Sequence, residues 1–138
     1  MKMMNSGGIS YMQEYVGLTL CAELHRLCVG SRRQFNYMSS LDFAHLLNLL
    51  WEEPAEVVRY REKRRVCYLV YYLSINVIQQ HESEHWIGRF LSLCNIDRTY
   101  YDHHYKDIEN LSTEDVNSTF RKALEEAVER AKRFDSGM

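Results

Sequence analysis

The sequence contains one short string that matches a catalytic metal motif. Residues 81–85 read H-E-S-E-H. On a helix, two histidines four residues apart can share one zinc ion while the glutamate activates the bound water. However, Ser83 and Glu84 are polar, whereas the helix of a zinc hydrolase is buried, and Leu91 stands where a longer form of the motif has a third histidine. We therefore interpret the string as a polar corner between two helices and predict no catalytic zinc.

A second candidate for metal binding is formed by Cys21, His25 and Cys28, which share one face of a predicted helix. Structural zinc sites typically contain a short Cys-x-x-Cys knuckle, and this spacing differs from it. Small apolar thiols in a core stripe are the simpler interpretation. The sequence also lacks a glycine-rich phosphate loop, a nucleophile elbow and a paired-carboxylate motif. We predict that the protein is not an enzyme and needs no cofactor.

The elements that position these residues are predicted from apolar spacing. The chain has 138 residues, 46% hydrophobic and 26% charged, which is typical of one soluble globular domain. Apolar residues recur at intervals of three and four, the pattern of amphipathic helices. We predict an all-α fold, a compact bundle of about six helices that contains a helix-turn-helix. Residues 1–8 are expected to form a flexible tail, and residues 112–134 an amphipathic C-terminal helix.

Two helix starts and one helix-or-strand assignment rest on local signals. Ser39 with Asp42 three residues later predicts a capped helix start. Pro54 and its acidic neighbours are typical of a first helical turn, so a helix is predicted to begin there. The run from Val66 to Gln80 is rich in β-branched and aromatic residues and, taken alone, could be a strand. Its apolar spacing also fits a helix, which the neighbouring helical patterns favour.

Composition and charge exclude several classes of protein. The formal net charge of −2 gives no general attraction for nucleic acid. No apolar run reaches the roughly 18 residues that a membrane span needs, and residues 1–10 lack the apolar core of a signal peptide. The four cysteines lie among apolar residues, as buried, reduced thiols do. We predict a cytoplasmic protein without membrane contact.

The stretch from Trp86 to Leu111 has the pattern of a helix-turn-helix. Apolar residues follow one helical face as far as Cys94. Asn95 then interrupts the pattern, and asparagine tolerates the left-handed conformation that ends many helices. Asp97 is placed to cap a second helix, because its carboxylate can accept hydrogen bonds from free N–H groups.

The run NIDRTYYDHHYKDIENL, residues 95–111, resembles the second half of the DNA-binding headpiece of TetR/AcrR-type transcriptional regulators. In that family, a Gly-hydrophobic-Ser/Asn corner leads into a helix with an aromatic-His-aromatic-Lys run. Asn95 and Ile96 match the corner, and Tyr101 matches the inward hydrophobic residue. The end of the helix is matched by residues 104–107, and the closing apolar residue by Leu111. With the two preceding helices, the resemblance covers residues 66–111. Asp102 departs from the pattern, which usually has an aromatic residue there. Since 27 residues follow Leu111, we expect no ligand-binding domain of that family.

The resemblance implies a DNA-binding transcriptional regulator. Its small size, without a ligand-binding domain, suits a regulator encoded by a phage or mobile element. The residues expected to contact double-stranded DNA are Arg98, Thr99, Tyr100 and His103 at the bases, and Lys106, Arg64 and Arg65 at phosphates. Helix-turn-helix proteins commonly pair to span two half-sites. We therefore predict a homodimer, formed through the C-terminal helix from Ser112 to Phe134. The alternative is that the apolar stripe of this helix packs inside the monomer.

Charge favours a second hypothesis. Residues 81–111 include three basic and six acidic residues, a net charge of −3, which is poor for approaching DNA. The basic residues lie just before, in residues 59–65, and Arg32 and Arg33 would add to them. The alternative function is therefore a helical interaction protein, such as an immunity or anti-defence inhibitor, that binds a protein partner through an acidic, tyrosine-rich surface.

Overall fold

The computed structural model describes residues 14–110 and 115–136. These residues form seven α-helices and one 3-10 helix, with no β-strand among them, so the all-α prediction is confirmed. The α-helices are α1 (Leu18–Cys28), α2 (Ser40–Leu47), α3 (Lys63–Asn76), α4 (Ser83–Leu93), α5 (Arg98–His104), α6 (Asp107–Asn110) and α7 (Asp115–Asp135), and the 3-10 helix spans Gln80–Glu82. The predicted flexible tail at 1–8, Leu111 and the cap expected at Ser112 lie outside the described residues.

Helix α3 is central to the bundle and contacts α4, α5, α6 and α7. Every residue from Val66 to Val70 is buried, which explains why the apolar run lacks a clean amphipathic pattern. The helix interpretation of this run is confirmed, but its predicted end at Gln80 is wrong. The helix ends at Asn76, whose side-chain amide donates to the Tyr72 carbonyl at 2.9 Å.

Helices α1 and α7 pack side by side in opposite directions. Thr19, at the start of α1, donates to Asp135 at the end of α7 (3.2 Å), and Arg130 donates to Glu23 (2.9 Å). The apolar stripe of α7 is buried in this contact and in the core; its members are Phe120, Leu124, Ala127, Val128 and Ala131. This stripe is therefore used inside the monomer. It cannot also form the predicted homodimer interface, and a dimer would have to pair through another surface.

The helix predicted from Pro54 is wrong. Residues 51–62 contain no helix. Their backbone groups bind other segments: Ala55 N–H donates to the Leu93 carbonyl (3.0 Å), and the Val57 carbonyl accepts from Asn36 N–H (2.9 Å). Val57 is also 7% exposed. These long-range hydrogen bonds and this burial replace the helical bonds that the acidic first-turn pattern suggested.

Asn48 is a polar residue in the core that ties the start of the described chain to α2. Its side-chain oxygen accepts from Tyr15 N–H (2.6 Å) and Val16 N–H (2.9 Å). Its amide nitrogen donates to the carbonyls of Val16 and Ala44, both at 3.0 Å. The amide is thus fully paired, as burial of a polar group requires.

None of the helices in the described part of the chain has the length and apolar character needed to cross a membrane.

Candidate nucleic-acid interface

The predicted corner between α4 and α5 is a tight turn. Asn95 has a φ of 58°, the left-handed conformation expected there. Ile96 is 4% exposed, and its N–H donates to the Leu91 carbonyl at 2.9 Å. Both expectations for this corner are confirmed. The turn anchors α5 at a fixed angle to α4, since a buried residue and a closed backbone hydrogen bond hold its centre.

Asp97 occupies the N-cap position of α5 with an extended backbone, but its side chain makes no cap hydrogen bond. The predicted position is right and the predicted bond is wrong. Helix α5 is held instead by Tyr101, which is 4% exposed and stacks on Tyr105 with 5.2 Å between ring centres. Packing therefore fixes this seven-residue helix against α3 and α4, because so short a helix is marginal alone.

Of the residues expected at the bases, Arg98, Thr99 and His103 are exposed, while Tyr100 is half-buried. Arg98 is held by two carboxylates. Its Nη2 lies 2.6 Å from Glu84 Oε2, and its Nε lies 3.1 Å from Asp102 Oδ1. The guanidinium that would contact DNA is therefore already paired within the protein.

The first turn of α3 brings basic residues beside α5 and α6. Lys63 Nζ lies 5.0 Å from the centre of the Tyr100 ring, within range of a cation–π interaction. Arg64 Nε lies 3.3 Å from Asp107 Oδ2, and His104 Nδ1 lies 2.6 Å from the same oxygen. Cations from the basic segment 59–65 thus flank the second helix of the motif.

Lys106 adds a further cation beside aromatic rings. Its Nζ lies 5.5 Å from the Tyr71 ring centre and 5.9 Å from that of Tyr105. Together these groups form what we call the basic–aromatic surface, which consists of Lys63, Arg64, Tyr71, Tyr100, His103, His104, Tyr105 and Lys106. Alternating cations and aromatic rings are chemically suited to phosphates and to base or sugar faces.

Arg65 does not join this surface, although the sequence placed it with Arg64. Its Nε donates to Asn117 Oδ1 (2.9 Å), and its Nη1 donates to Glu62 Oε1 (2.8 Å). Successive residues of an α-helix point about 100° apart, so the two arginines reach α6 and α7 respectively. Sequence reasoning missed the pairing of Lys63 with Tyr100, because no local periodicity links residues so far apart.

Neither of the two candidate metal-binding motifs has the arrangement of a metal site. The H-E-S-E-H string is divided between the 3-10 helix and the first turn of α4, and both histidines are exposed. In the other candidate, His25 Nε2 lies 2.8 Å from the Met38 carbonyl. Burial raises the pKa of the Cys21 thiol to about 11, which disfavours the thiolate that binds metal. Among the described residues, no three His, Cys, Asp or Glu side chains are grouped so that they could hold a metal ion.

Comparison with protein-family models, with curated proteins and with solved structures found no match. The resemblance to the TetR/AcrR headpiece therefore rests on residues 66–111 themselves.

Proposed function

We propose that this protein is a small cytoplasmic regulator that binds duplex DNA through α5 and the first turn of α3. One observation carries the proposal: Lys63 lies beside α5 and Arg64 beside α6, both on the basic–aromatic surface. The cations that the acidic segment lacks are thus supplied by a neighbouring helix. The four free, buried cysteines are typical of a reducing compartment.

In this proposal α5 enters the major groove, as the second helix of such motifs does. The exposed Thr99 and His103 face the bases, and Arg98 joins them when it exchanges its carboxylates for DNA. Lys63, Arg64 and Lys106 bind phosphates, where each contact releases counterions and makes affinity depend on salt.

The experiment is a fluorescence anisotropy titration of a duplex at several salt concentrations. Changing Lys63 and Arg64 to Ala removes two phosphate contacts, so the slope of log K against log salt should fall by about 1.8, and affinity at about 0.1 M salt by about 60-fold. The matched control is Lys132→Ala with Arg133→Ala, which also removes one lysine and one arginine. These residues lie on α7 roughly 20 Å along the helix from Asn117, where α7 contacts α3 through Arg65. Arg133, like Arg64, is an exposed arginine in an ion pair.

Two results would overturn the proposal. One is the absence of duplex binding by the unchanged protein at about 50 mM salt, where electrostatic contacts are strong. The other is an equal loss of affinity in the control, which would mean that net charge alone governs binding.

A second candidate function is supported by the two carboxylates around Arg98. Glu84 and Asp102 are 76% and 57% exposed, so the outer face of α5 presents acid rather than free base. This face suits a basic protein partner, and the protein would then be an interaction or inhibitor protein. A pull-down in which Asp102→Arg abolishes capture of a partner, while Lys63→Ala with Arg64→Ala does not, would favour it over DNA binding.

A homodimer remains part of the DNA-binding proposal, because paired half-sites are common for helix-turn-helix proteins. It would use a surface other than the buried stripe of α7. Sedimentation velocity at tens of micromolar tests this, and a monomer bound to a single half-site would remove the dimer from the proposal.

A further inference from the structure

A cleft of about 350 Å³ lies between the loop after α1, the start of α3 and the first half of α7. Its polar walls are formed by Arg32, Arg33, Gln34, Glu62 and Arg65. Its volume is within the range of small-molecule sites. Because Arg65 points away from Arg64, the cleft is separate from the basic–aromatic surface.

The cleft is built to attract an anion. Among the described residues that line it, three are arginines and one, Glu62, carries a carboxylate. Two of them are held in place: Arg33 Nη1 donates to the Leu27 carbonyl (3.0 Å), and Arg65 binds Asn117 and Glu62. Fixed guanidiniums lose little freedom when they bind a phosphate through paired N–H groups.

Arg32 differs from Arg33 and Arg65 because a backbone turn positions it, while its guanidinium is not held by a partner within the described part of the chain. Gly30, with a φ of 121°, starts a turn that Arg33 N–H closes on the Gly30 carbonyl (3.1 Å). Within this turn Arg32 has a φ of 64°, a left-handed conformation that is uncommon for a residue with a side chain. Among the described residues, no acidic group or hydrogen-bond acceptor pairs with its guanidinium. The turn therefore holds one uncompensated cation at the rim of the cleft.

Gln34 gives an independent indication of a ligand. The residue is 6% exposed, and its Nε2 donates to Glu62 Oε1 at 3.3 Å. Its Oε1 is buried without a hydrogen-bond partner, which is unusual in native proteins. Exchanging the amide atoms would set the oxygen against the Glu62 carboxylate, so the network supports the assignment. Within the described ranges, Gln34 Oε1 thus lacks a hydrogen-bond donor, in a residue that lines a cationic cleft.

We propose that this cleft binds a nucleoside monophosphate. The phosphate pairs with Arg32 and Arg33, and a sugar hydroxyl or amino group donates to Gln34, which turns outward to meet it, or to Glu62. The ring lies against the apolar wall formed by Val116 and Phe120. This ligand combines the three features that the cleft demands: a compact dianion, a hydrogen-bond donor and a flat apolar body.

The test is isothermal titration calorimetry of the full chain with adenosine 5′-monophosphate and uridine 5′-monophosphate. Adenosine and inorganic phosphate serve as partial ligands and should each bind at least tenfold more weakly. Arg32→Ala should weaken binding of the monophosphates by roughly tenfold, the effect of losing one charged hydrogen-bonding group. The matched control is Arg26→Ala, which removes an exposed arginine of α1 that pairs with Glu23 outside the cleft.

A second variant separates ligand binding from a structural role. Gln34→Met keeps the side-chain length but removes both the unpaired oxygen and the 3.3 Å hydrogen bond to Glu62. These two losses have opposite effects on stability, so binding should weaken while the melting temperature changes little. A lowered melting temperature with unchanged affinity would contradict the proposal. It would also be overturned if inorganic phosphate bound as tightly as the monophosphates, if Arg32→Ala had no effect, or if no monophosphate bound at about 10 mM.

Discussion

Replacing Glu84 with Gln and Asp102 with Asn should tighten binding to duplex DNA. These two carboxylates hold the Arg98 guanidinium, at 2.6 Å and 3.1 Å. Their amide counterparts keep nearly the same shape but neither hold the cation as strongly nor repel phosphates. The double variant therefore frees Arg98 at the N-terminal end of α5.

The structure sets the expected size of this gain. Arg98 is placed at the bases, where one good contact adds about 1–3 kcal/mol to binding of the preferred sequence, or roughly 5- to 150-fold. Loss of two negative charges beside the DNA adds to this figure, so we expect a gain of about tenfold or more. Folding should change little, because exposed ion pairs contribute only about 0–1 kcal/mol to stability.

The assay is the anisotropy titration described above, with two further variants. Glu125→Gln with Glu129→Gln changes two exposed carboxylates of α7 and, like the test pair, raises the formal net charge from −2 to 0. Adding Arg98→Ala to the test pair should cancel the gain. An equal gain in the α7 control, or a gain that survives the loss of Arg98, would refute the idea that Arg98 becomes a DNA contact.

Three further predictions concern stability and metal. Asn48→Ala should lower the free energy of unfolding by about 2–4 kcal/mol, since it leaves several buried backbone groups unpaired; urea denaturation measures this, and a loss below about 1 kcal/mol would contradict it. Burial raises the pKa of Cys21 to about 11 and that of Cys67 to about 12. Stability should therefore fall as pH rises from about 9 towards 12, because the thiols of the unfolded chain ionise at a lower pH than the buried thiols of the folded protein. For the same reason, a thiol reagent at about pH 8 should react only after unfolding. Metal analysis should find well under one zinc per chain, and stoichiometric zinc lost on changing His81 or His85 to Ala would refute this.

Local signals in the sequence predicted much of the fold. Ser39 accepts a hydrogen bond from Asp42 N–H at 3.0 Å, so the cap of α2 is confirmed. Asn95 takes the left-handed conformation that its chemistry suggested. In both cases the controlling interaction spans a few residues, which is why the sequence pattern was sufficient.

Interactions between distant segments could not be predicted in this way. The stretch after Pro54 is not helical because its backbone binds Asn36 and Leu93, and no local pattern encodes those partners. The separation of Arg64 from Arg65 depends on which helices cover the two sides of α3. The cleft likewise depends on three segments meeting, so its arginines appeared in the sequence only as unrelated basic residues.

The charge of the helix-turn-helix shows why tertiary contacts decide its function. Counted along the sequence, residues 81–111 carry −3, which argues against DNA. In the fold, however, Asp107 is paired with Arg64, a residue from outside this segment, and Lys63 lies over Tyr100. A phosphate approaching α5 responds to the charges within about 8 Å at physiological salt, whatever their position in the chain. If α5 binds DNA as proposed, the first turn of α3 therefore determines whether the helix presents a basic or an acidic surface to it.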